Sequence, residues 1–390
     1  MTVPRHRRLG EQLIETGILP ADWLTAFAAA PRHLFLPDAI WEETDRGLAP
    51  ICRINDPAAW LDRAYADEPV ISQVDDGGTA PGHPGHYVTS SSSAPSVMFR
   101  MLRELDVRDG MRVLEIGTGS GWNAVLLAHR LGGSNVTTVE VDPAVAARAS
   151  AALAGAGVAP TVATGDGTQG HEPRAPYDRV LATASVQRVP YAWVSQTRPD
   201  GRIVTPWGTA YHNGVMLALT VAEDGSAVGR FNGQLAFMWL RSQRVPNVAV
   251  EDLVHHGDPA TDSVAGLHPY EPVSDYDASF AIGLRVPDCQ NLVVHDDDGD
   301  PQHYVLWLMD PASGSWAALT HRPGATSYPV RQHGPRQLWD EVEAAHGWWV
   351  DAGRPELHRF GATVSPAGQA VWMDEPSNVV NSTPTSAQRA

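Results

Sequence analysis

The chain has 390 residues, with 45 acidic side chains against 28 basic ones and a formal net charge of −17, and a chain of this length usually folds as two domains. The negative charge disfavours nucleic acid and anionic membranes as partners, and because all 28 basic residues are Arg, catalysis through a Lys Schiff base is excluded. Cys52 and Cys289 are too isolated for a disulfide framework. The chain also shows no signal peptide or long apolar segment, so it is predicted to be cytoplasmic.

The first part of the chain is predicted to be helical and then irregular. Apolar residues at helical spacing predict two short helices between residues 8 and 29, divided at Pro20. The segment 31–37 is a rigid apolar connector, and the Asp, Gly and Pro content of 45–87 predicts an arm or loop. Residues 1–80 are therefore expected to form N-terminal helices and an arm.

From residue 95 the patterns of helix and strand alternate. The predicted helices cover 95–105, 122–131, 143–155 and 189–197, and the predicted strands cover 111–116, 135–141, 160–164, 178–183, 202–206 and 214–221. Such alternation predicts an α/β fold, with a doubly wound parallel sheet that carries helices on both faces. A last strand near 234–240 is expected to close this domain, which spans 81–244.

After residue 245 the pattern becomes mainly antiparallel. The predicted strands cover 278–286, 291–295, 303–309, 315–320, 359–364 and 369–373, with one helix at about 335–347. An α+β accessory domain is therefore expected over 245–374. Residues 375–390 are rich in Ser, Thr, Pro and Asn, a composition that predicts disorder.

A glycine-rich turn, 117–121, follows the first strand of the α/β domain and precedes a helix. A strand, a tight turn and a helix in this order place a nucleotide-like ligand at the carboxyl edge of a parallel sheet. A dinucleotide fingerprint would need a third Gly where this chain has Trp122, which disfavours a nicotinamide-dependent oxidoreductase. No Lys-Ser or Lys-Thr pair follows, so the turn is not a phosphate-binding P-loop.

Two acidic residues accompany the turn. Glu140 ends the second strand about twenty residues later, where a carboxylate can accept hydrogen bonds from both hydroxyls of a ribose. Asp166 lies between two glycines after the third strand, where it can meet an adenine amino group. The alternative for Asp166 is an ordinary Asp-Gly turn.

Several further blocks occur in the order in which one protein family carries them. The blocks are 31–37 (Pro-Arg-His-Leu-Phe-Leu-Pro), 64–69 (Ala-Tyr-Ala-Asp-Glu-Pro), 93–95 (Ser-Ala-Pro), 113–124, 165–167 (Gly-Asp-Gly), 175–178 (Ala-Pro-Tyr-Asp), 199–202 (Pro-Asp-Gly-Arg) and 206–208 (Pro-Trp-Gly). Over roughly residues 8 to 244 the chain resembles the protein L-isoaspartyl O-methyltransferases, a branch of the S-adenosylmethionine-dependent methyltransferases. The resemblance implies a Rossmann-like methyltransferase sheet and S-adenosyl-L-methionine as cofactor. The cofactor-binding residues that it implies are Glu115, Gly117, Thr118, Gly119, Ser120, Glu140, Val141, Asp166 and Gly167.

The same resemblance places the acceptor site on a run of serines. The family usually has Thr-Ile-Ser where this chain has Ser91, Ser92 and Ser93, so the family's active-site serine corresponds to Ser93. Ser93 is expected to hydrogen-bond and orient a substrate carboxylate, which is already ionised at neutral pH and can attack a sulfonium methyl group directly. The substrate is expected to contact Thr89, Ser91 and Ser92. The family usually has an apolar residue at the position of Ser92, so the substrate preference of this chain can differ from that of the family.

The 146 residues after position 244 bear on which substrate is used. This extension and the altered serine run resemble a bacterial subgroup associated with ribosomally made, modified peptides of the graspetide and lanthipeptide type. The subgroup implies methylation of an Asp in a constrained peptide, leading to aspartimide or isoaspartate, with the C-terminal domain binding the peptide. Trp348 and Trp349 are adjacent at a helix end and cannot both face one core, so one is expected to contact the peptide.

Two other functions stay open at this point. One is general repair of L-isoaspartyl residues in proteins. The other is a peptide-binding module that retains a methyltransferase fold without catalysis. The intact turn, Glu140 and Asp166 argue against the second. No metal site is expected, because the chain shows no second cluster of ligands at suitable spacing.

Overall fold

A computed structural model describes residues 2–45, 47–296 and 300–384. The α-helices of these residues are α1 (Thr2–Glu15), α2 (Leu24–Ala29), α3 (Pro57–Ala64), α4 (Pro95–Leu105), α5 (Trp122–Leu131), α6 (Pro143–Gly155), α7 (Tyr191–Ser195), α8 (Val250–Leu253), α9 (Glu271–Ser274), α10 (Tyr276–Arg285) and α11 (Leu338–Asp351). Within the described ranges, no helix is both long enough and apolar enough to span a membrane.

The β-strands fall into three sheets. They are β1 (Ala39–Thr44), β2 (Gly47–Cys52), β3 (Val70–Val74), β4 (Val88–Ser92), β5 (Val113–Ile116), β6 (Val136–Glu140), β7 (Thr161–Thr164), β8 (Tyr177–Ala182), β9 (Thr197–Gly208), β10 (Asn213–Val221), β11 (Ala227–Gln234), β12 (Ala260–Ala265), β13 (Gln290–His295), β14 (Tyr304–Asp310), β15 (Ser315–His321), β16 (Tyr328–His333), β17 (Phe360–Ser365), β18 (Gly368–Met373) and β19 (Val379–Pro384).

The main sheet has ten strands in the order β19-β18-β17-β11-β10-β9-β8-β5-β6-β7. The pairs from β7 to β9 are parallel and the pairs from β9 to β19 are antiparallel. Successive strand residues face opposite sides. Val180 belongs to a core shared with α7, α10 and α11, whereas its neighbour Leu181 belongs to a core shared with α1, α2, α4 and α5. The predicted α/β sheet with helices on both faces is confirmed.

The N-terminal arm is more ordered than its composition predicts. Strands β2-β1-β3-β4 form a four-stranded antiparallel sheet, so the expectation of an arm or loop over 45–87 is wrong for β2, α3 and β3. Helix α3 begins at a recognisable signal, because the Asp56 side chain accepts a hydrogen bond from the Ala59 N–H and Pro57 occupies the first helical position. Strand β4 is an edge strand, and it leads directly into α4.

The C-terminal region forms a five-stranded antiparallel sheet in the order β12-β16-β15-β14-β13, which packs on α10 and α11. The strand predicted over 278–286 is wrong, because this segment lies in α10, which begins where Asp275 accepts a hydrogen bond from the Ala278 N–H. Residues 278–284 are all buried, so the helix lacks the polar face that separates a helix from a buried strand in sequence.

The chain then returns to the main sheet. Strand β17 pairs with β11, and β18 and β19 extend the same sheet. The disorder predicted over 375–390 is therefore wrong for β19, whose polar residues are held by backbone pairing at a sheet edge. Residues 385–390 lie outside the described residues.

Candidate active site

An open cavity lies at the carboxyl ends of β5, β6 and β8, and it holds about 900 Å³ of empty space when open solvent is included. Strand β4 bounds it on one side, and the segment 237–244 bounds it on another. This is the edge at which parallel α/β sheets bind ligands. The predicted site residues that line it are Thr89, Ser91, Ser92, Ser93, Glu115, Gly117, Thr118, Gly119, Ser120, Glu140, Val141 and Gly167.

The floor of the cavity is the glycine turn between β5 and α5. Gly117, Gly119 and Gly121 have φ values of 93°, 53° and 84°, a region that side-chain-bearing residues rarely adopt. A Cβ atom on Gly117 would lie 2.7 Å from the Thr183 hydroxyl oxygen. A Cβ atom on Gly119 would lie 3.5 Å from the Ser91 carbonyl oxygen, so the turn and β4 are in close contact. Gly117 is therefore required by both backbone conformation and packing, whereas Gly119 is required by its backbone conformation.

Glu140 is placed to hold two hydroxyl groups. Its Oε2 accepts a hydrogen bond from the Gly119 N–H at 2.9 Å, and its Oε1 accepts one from the Asp142 N–H at 3.1 Å. An ionised carboxylate offers about four acceptor positions, so each oxygen retains one for a ligand. The side chain is oriented by the backbone and lines the cavity. These features fit the ribose of S-adenosylmethionine.

Glu115 is a fully buried carboxyl group in the cavity wall. Its Oε1 accepts a hydrogen bond from the Asn123 side-chain amide, and its Oε2 accepts one from the Thr138 hydroxyl, both at 2.6 Å. When Glu115 is ionised, Thr138 donates its proton to it, and Thr118 is then the donor in the 2.6 Å contact between the Thr118 and Thr138 hydroxyls. Burial raises the pKa of Glu115 to about 7, since it disfavours the charged form.

The serine run is anchored by a buried arginine that sequence patterns did not single out as a site residue. Arg32 is completely buried, and its Nη2 donates to the carbonyl oxygens of Ser92 at 2.8 Å and Ser93 at 2.9 Å. The same Nη2 also reaches the Glu68 carbonyl oxygen at 2.9 Å, and Nη1 donates to the Ala66 carbonyl oxygen at 3.0 Å. Burial lowers the pKa of Arg32 to about 9. This value is still above neutral pH, so the side chain stays cationic. Arg32 thus fixes the backbone at the end of β4.

The side chains of the serine run point to different partners. The Ser92 hydroxyl accepts a hydrogen bond from Arg32 Nε at 3.2 Å and is buried, so this serine anchors the strand. The Ser93 hydroxyl has no hydrogen-bond partner anywhere in the described chain, and it lines the cavity. Thr89 donates to the Gln73 side-chain oxygen at 3.0 Å. The Ser91 hydroxyl likewise has no partner among the described residues, so the hydroxyls of Ser91 and Ser93 are both available to a ligand.

Three predicted site residues lie elsewhere. The Asp166 carboxylate accepts hydrogen bonds from the Thr168 N–H and the Ser242 hydroxyl, and does not line the cavity although its neighbour Gly167 does. Trp349 is buried, with its indole N–H donating to the Pro355 carbonyl oxygen. Trp348 is half-buried beneath the Arg285 guanidinium, 4.7 Å from its ring centre. Both tryptophans pack in the C-terminal region, and neither lines the cavity.

The segment 237–244 forms one wall of the cavity, and the sequence does not predict this role. The strand predicted near 234–240 is wrong, because β11 ends at Gln234 and the chain then crosses towards the loop after β8. There Ser185 and Leu240 share a backbone hydrogen bond of 2.8 Å. An apolar run of this length has the composition of a strand. Its position beside the cavity depends on tertiary contacts, which the local sequence does not show. Arg241 and Arg244 follow it and also line the cavity.

The comparisons with known proteins agree on one family. The family model described as Protein-L-isoaspartate(D-aspartate) O-methyltransferase matches residues 57–244. The protein-L-isoaspartate O-methyltransferase of Pyrococcus horikoshii is 32% identical over 236 residues, which cover 60% of this chain and 91% of that protein. The protein-L-isoaspartate O-methyltransferase 2 of Archaeoglobus fulgidus is 30% identical over 241 residues, which cover 61% of this chain and 94% of that protein.

A solved structure extends the likeness beyond residue 244. This structure, of a protein-L-isoaspartate O-methyltransferase, matches with a TM-score of 0.54 at 19% identity and covers 95% of this chain and 100% of that one. At this identity the match shows the fold, and it includes the C-terminal region. The relatives show the family, and this structure shows that the fold is shared over nearly the whole chain. The chain belongs to the protein-L-isoaspartate O-methyltransferase family and is an S-adenosylmethionine-dependent protein carboxyl methyltransferase.

Proposed function

We propose that this enzyme methylates the α-carboxylate of L-isoaspartyl residues in proteins and peptides. The observation that carries the proposal is the Ser93 hydroxyl, which lacks a partner in the described chain and lines the same cavity as the glycine turn and Glu140. A carboxylate that accepts a hydrogen bond from Ser93 would lie beside the cofactor. General repair is thus the substrate range that we favour.

The chain's own groups are suited to alignment. When bound, S-adenosylmethionine supplies a methyl group activated by a sulfonium. The acceptor carboxylate is already ionised, so no general base has to take a proton from it. Ser93 orients one carboxylate oxygen, and Arg32 holds the Ser93 backbone in place. Alignment of a nucleophile with its target can lower a barrier by ~7–11 kcal/mol.

The ester produced by this transfer reacts further without help from the enzyme. A neighbouring backbone amide nitrogen attacks the ester carbonyl, methanol leaves with the amide proton, and a succinimide ring closes. Water then opens the ring to aspartyl or isoaspartyl products. The site therefore needs only to bind, align and release its substrate.

A second candidate substrate is an Asp in a constrained, ribosomally made precursor peptide. The observation that favours it is the polar residue Ser92 where the family usually has an apolar one. Two findings weaken its basis. The Ser92 hydroxyl is engaged by Arg32, and the C-terminal architecture also occurs in the solved structure of a protein-L-isoaspartate O-methyltransferase.

The test compares three acceptors with the purified enzyme and S-adenosylmethionine. These are an isoaspartyl peptide, the same sequence with Asp, and a cyclised precursor peptide, with S93A as the catalytic control. General repair predicts rapid methylation of the isoaspartyl peptide and little of the Asp peptide. Methylation of the cyclised peptide alone would favour the second candidate. Absence of S-adenosylmethionine binding by calorimetry would instead support a non-catalytic peptide-binding module.

A further inference from the structure

A closed circuit of polar contacts lies at the mouth of the cavity. The Thr89 hydroxyl donates to Gln73 Oε1 at 3.0 Å, and Gln73 Nε2 donates to Asp142 Oδ2 at 3.1 Å. Arg241 Nη2 lies 3.7 Å from Asp142 Oδ2 and 3.1 Å from Asp76 Oδ1. The Asp76 N–H donates back to the Thr89 hydroxyl oxygen at 3.1 Å, which closes the circuit.

The circuit touches both the cofactor side and the acceptor side of the cavity. On the cofactor side, the backbone N–H of Asp142 donates to Glu140, the carboxylate that fits a ribose. On the acceptor side, Thr89 begins the polar run of β4 that ends next to Ser93. Arg241 belongs to the segment 237–244 that forms the wall between them. A continuous chain of polar contacts therefore connects the two sides of the cavity.

Asp76 joins two arginines of the cavity wall to the strand that carries the serine run. Besides Arg241, its carboxylate binds both terminal nitrogens of Arg244, at 3.1 Å and 3.3 Å. Its backbone is left-handed, with φ 50° and ψ 30°, and the preceding Asp75 is left-handed as well. Such conformations are unfavourable in residues other than Gly and persist where the surroundings impose them. The strain lies where the arm meets the cavity wall.

Resting on the proposed function, we propose that Asp76 is a positioning residue that couples cofactor binding to acceptor binding. A ligand on Glu140 fixes Asp142, and through Arg241 and Asp76 it fixes Thr89 and the start of the serine run. Neutralising Asp76 removes the shared partner of Arg241 and Arg244 and opens the circuit. An isolated exposed ion pair would contribute little, but this network also includes a strand hydroxyl and a buried amide.

The test measures coupling directly. The affinity of an isoaspartyl peptide is determined by calorimetry with and without saturating S-adenosylhomocysteine, for wild type and D76N. Asn tolerates the left-handed backbone as Asp does, so the substitution removes charge without new strain. The matched control is D106N, since Asp106 also has φ 50° and faces two arginines, Arg108 and Arg179, away from the cavity.

We expect the wild type and D106N to bind the peptide on the order of tenfold tighter with S-adenosylhomocysteine, within the usual range of coupling. D76N should lower that ratio to about twofold and reduce kcat, with a melting temperature close to that of D106N. R241Q breaks the same circuit from the opposite wall and should lower the ratio in the same way, so the test does not depend on D76N folding.

The outcomes separate this proposal from the proposed function. A wild-type ratio near one, or a D76N ratio and kcat equal to those of D106N, would overturn the coupling role while the enzyme still methylates its peptide. A wild-type enzyme that methylates no isoaspartyl peptide would refute the proposed function, and the coupling role with it.

Discussion

Arg32 Nη2 donates a hydrogen bond to the Ser93 carbonyl oxygen at 2.9 Å, joining the end of the N-terminal helices to the residue that faces the acceptor side of the cavity. The guanidinium is fully buried. Its N–H groups donate to backbone carbonyl oxygens, apart from one hydrogen bond to the Ser92 hydroxyl. The serine backbone is therefore held by a charged group whose own position is determined by packing. The first two predictions concern this pair.

Removing Arg32 should destabilise the protein and inactivate it. R32M leaves several buried carbonyl oxygens without donors, and each such group costs ~1–3 kcal/mol. We expect a loss of more than about 3 kcal/mol in the free energy of unfolding measured in urea. R7Q removes an exposed arginine whose ion pair among the described residues is with Glu11, and it should change stability by less than about 0.5 kcal/mol. Equal stability of the two variants would contradict this role.

Removing the Ser93 hydroxyl should impair the chemistry and spare cofactor binding. One charge-assisted hydrogen bond to the acceptor carboxylate corresponds to ~1.5–3 kcal/mol, so S93A should lower kcat/KM about 10- to 100-fold. The affinity for S-adenosylhomocysteine should stay within about twofold of wild type. S195A is the control, since the Ser195 hydroxyl donates to the Ala192 carbonyl oxygen in α7 and does not line the cavity. A fully active S93A enzyme would show that another group orients the acceptor.

Glu140 should have the opposite profile. E140Q keeps the shape of the side chain and removes the charge that strengthens its hydrogen bonds to the backbone and to a ribose. We expect S-adenosylhomocysteine to bind at least about tenfold more weakly by calorimetry, which corresponds to ~1.4 kcal/mol. Binding as tight as in wild type would show that the ribose is held elsewhere.

Glu115 should make stability depend on pH. Its pKa is about 7 in the folded state against an ordinary value of 4.5, so the folded state retains a proton that the unfolded state releases between these values. The free energy of unfolding should therefore fall as pH rises from about 4.5 to 7, by about 3 kcal/mol relative to E115Q, which cannot titrate. Urea unfolding of both proteins at pH 5 and pH 8 checks this. A stability difference that is the same at both pH values would contradict it.

Trp348 should affect stability and leave substrate affinity unchanged. W348A removes the ring beneath Arg285 and part of the packing on α11, at a cost of about 1–3 kcal/mol. The acceptor KM should remain within about twofold of wild type, because Trp348 does not line the cavity. A large rise in KM for a cyclised precursor peptide, with unchanged KM for a short isoaspartyl peptide, would revive the peptide-binding hypothesis for this residue.

Local signals predicted the parts of the fold that local forces determine. Helices α4, α5 and α6 have the predicted bounds, since each combines a strong apolar pattern with a clear start or end: Pro95 and Pro143 at first helical positions and Gly132 after a last one. Helix α10 was missed because it is buried along most of its length. Strand β19 was missed because only pairing with β18 orders its polar residues.

Some residues of the candidate site could also be predicted from local sequence, whereas others depend on tertiary contacts. The glycine turn and Glu140 follow consecutive strands, so the topology of a parallel sheet brings them together and sequence reasoning finds them. Arg241 lines the cavity, whereas Arg32 and Asp76 contact residues of its wall from distant parts of the chain. Arg32 lies in the block 31–37, but the local sequence indicates a site role for none of the three. Their positions depend on how the arm and the segment 237–244 pack across the sheet edge.

The central claim is methyl transfer to an isoaspartyl α-carboxylate aligned by Ser93. The most direct measurement is kcat/KM for an isoaspartyl peptide and for the same peptide with Asp, using wild type and S93A with labelled S-adenosylmethionine. We expect the wild type to prefer the isoaspartyl peptide strongly and S93A to lose about 10- to 100-fold in kcat/KM, which corresponds to about 1.5–3 kcal/mol. Equal rates for the two peptides, or no ester on either, would contradict it.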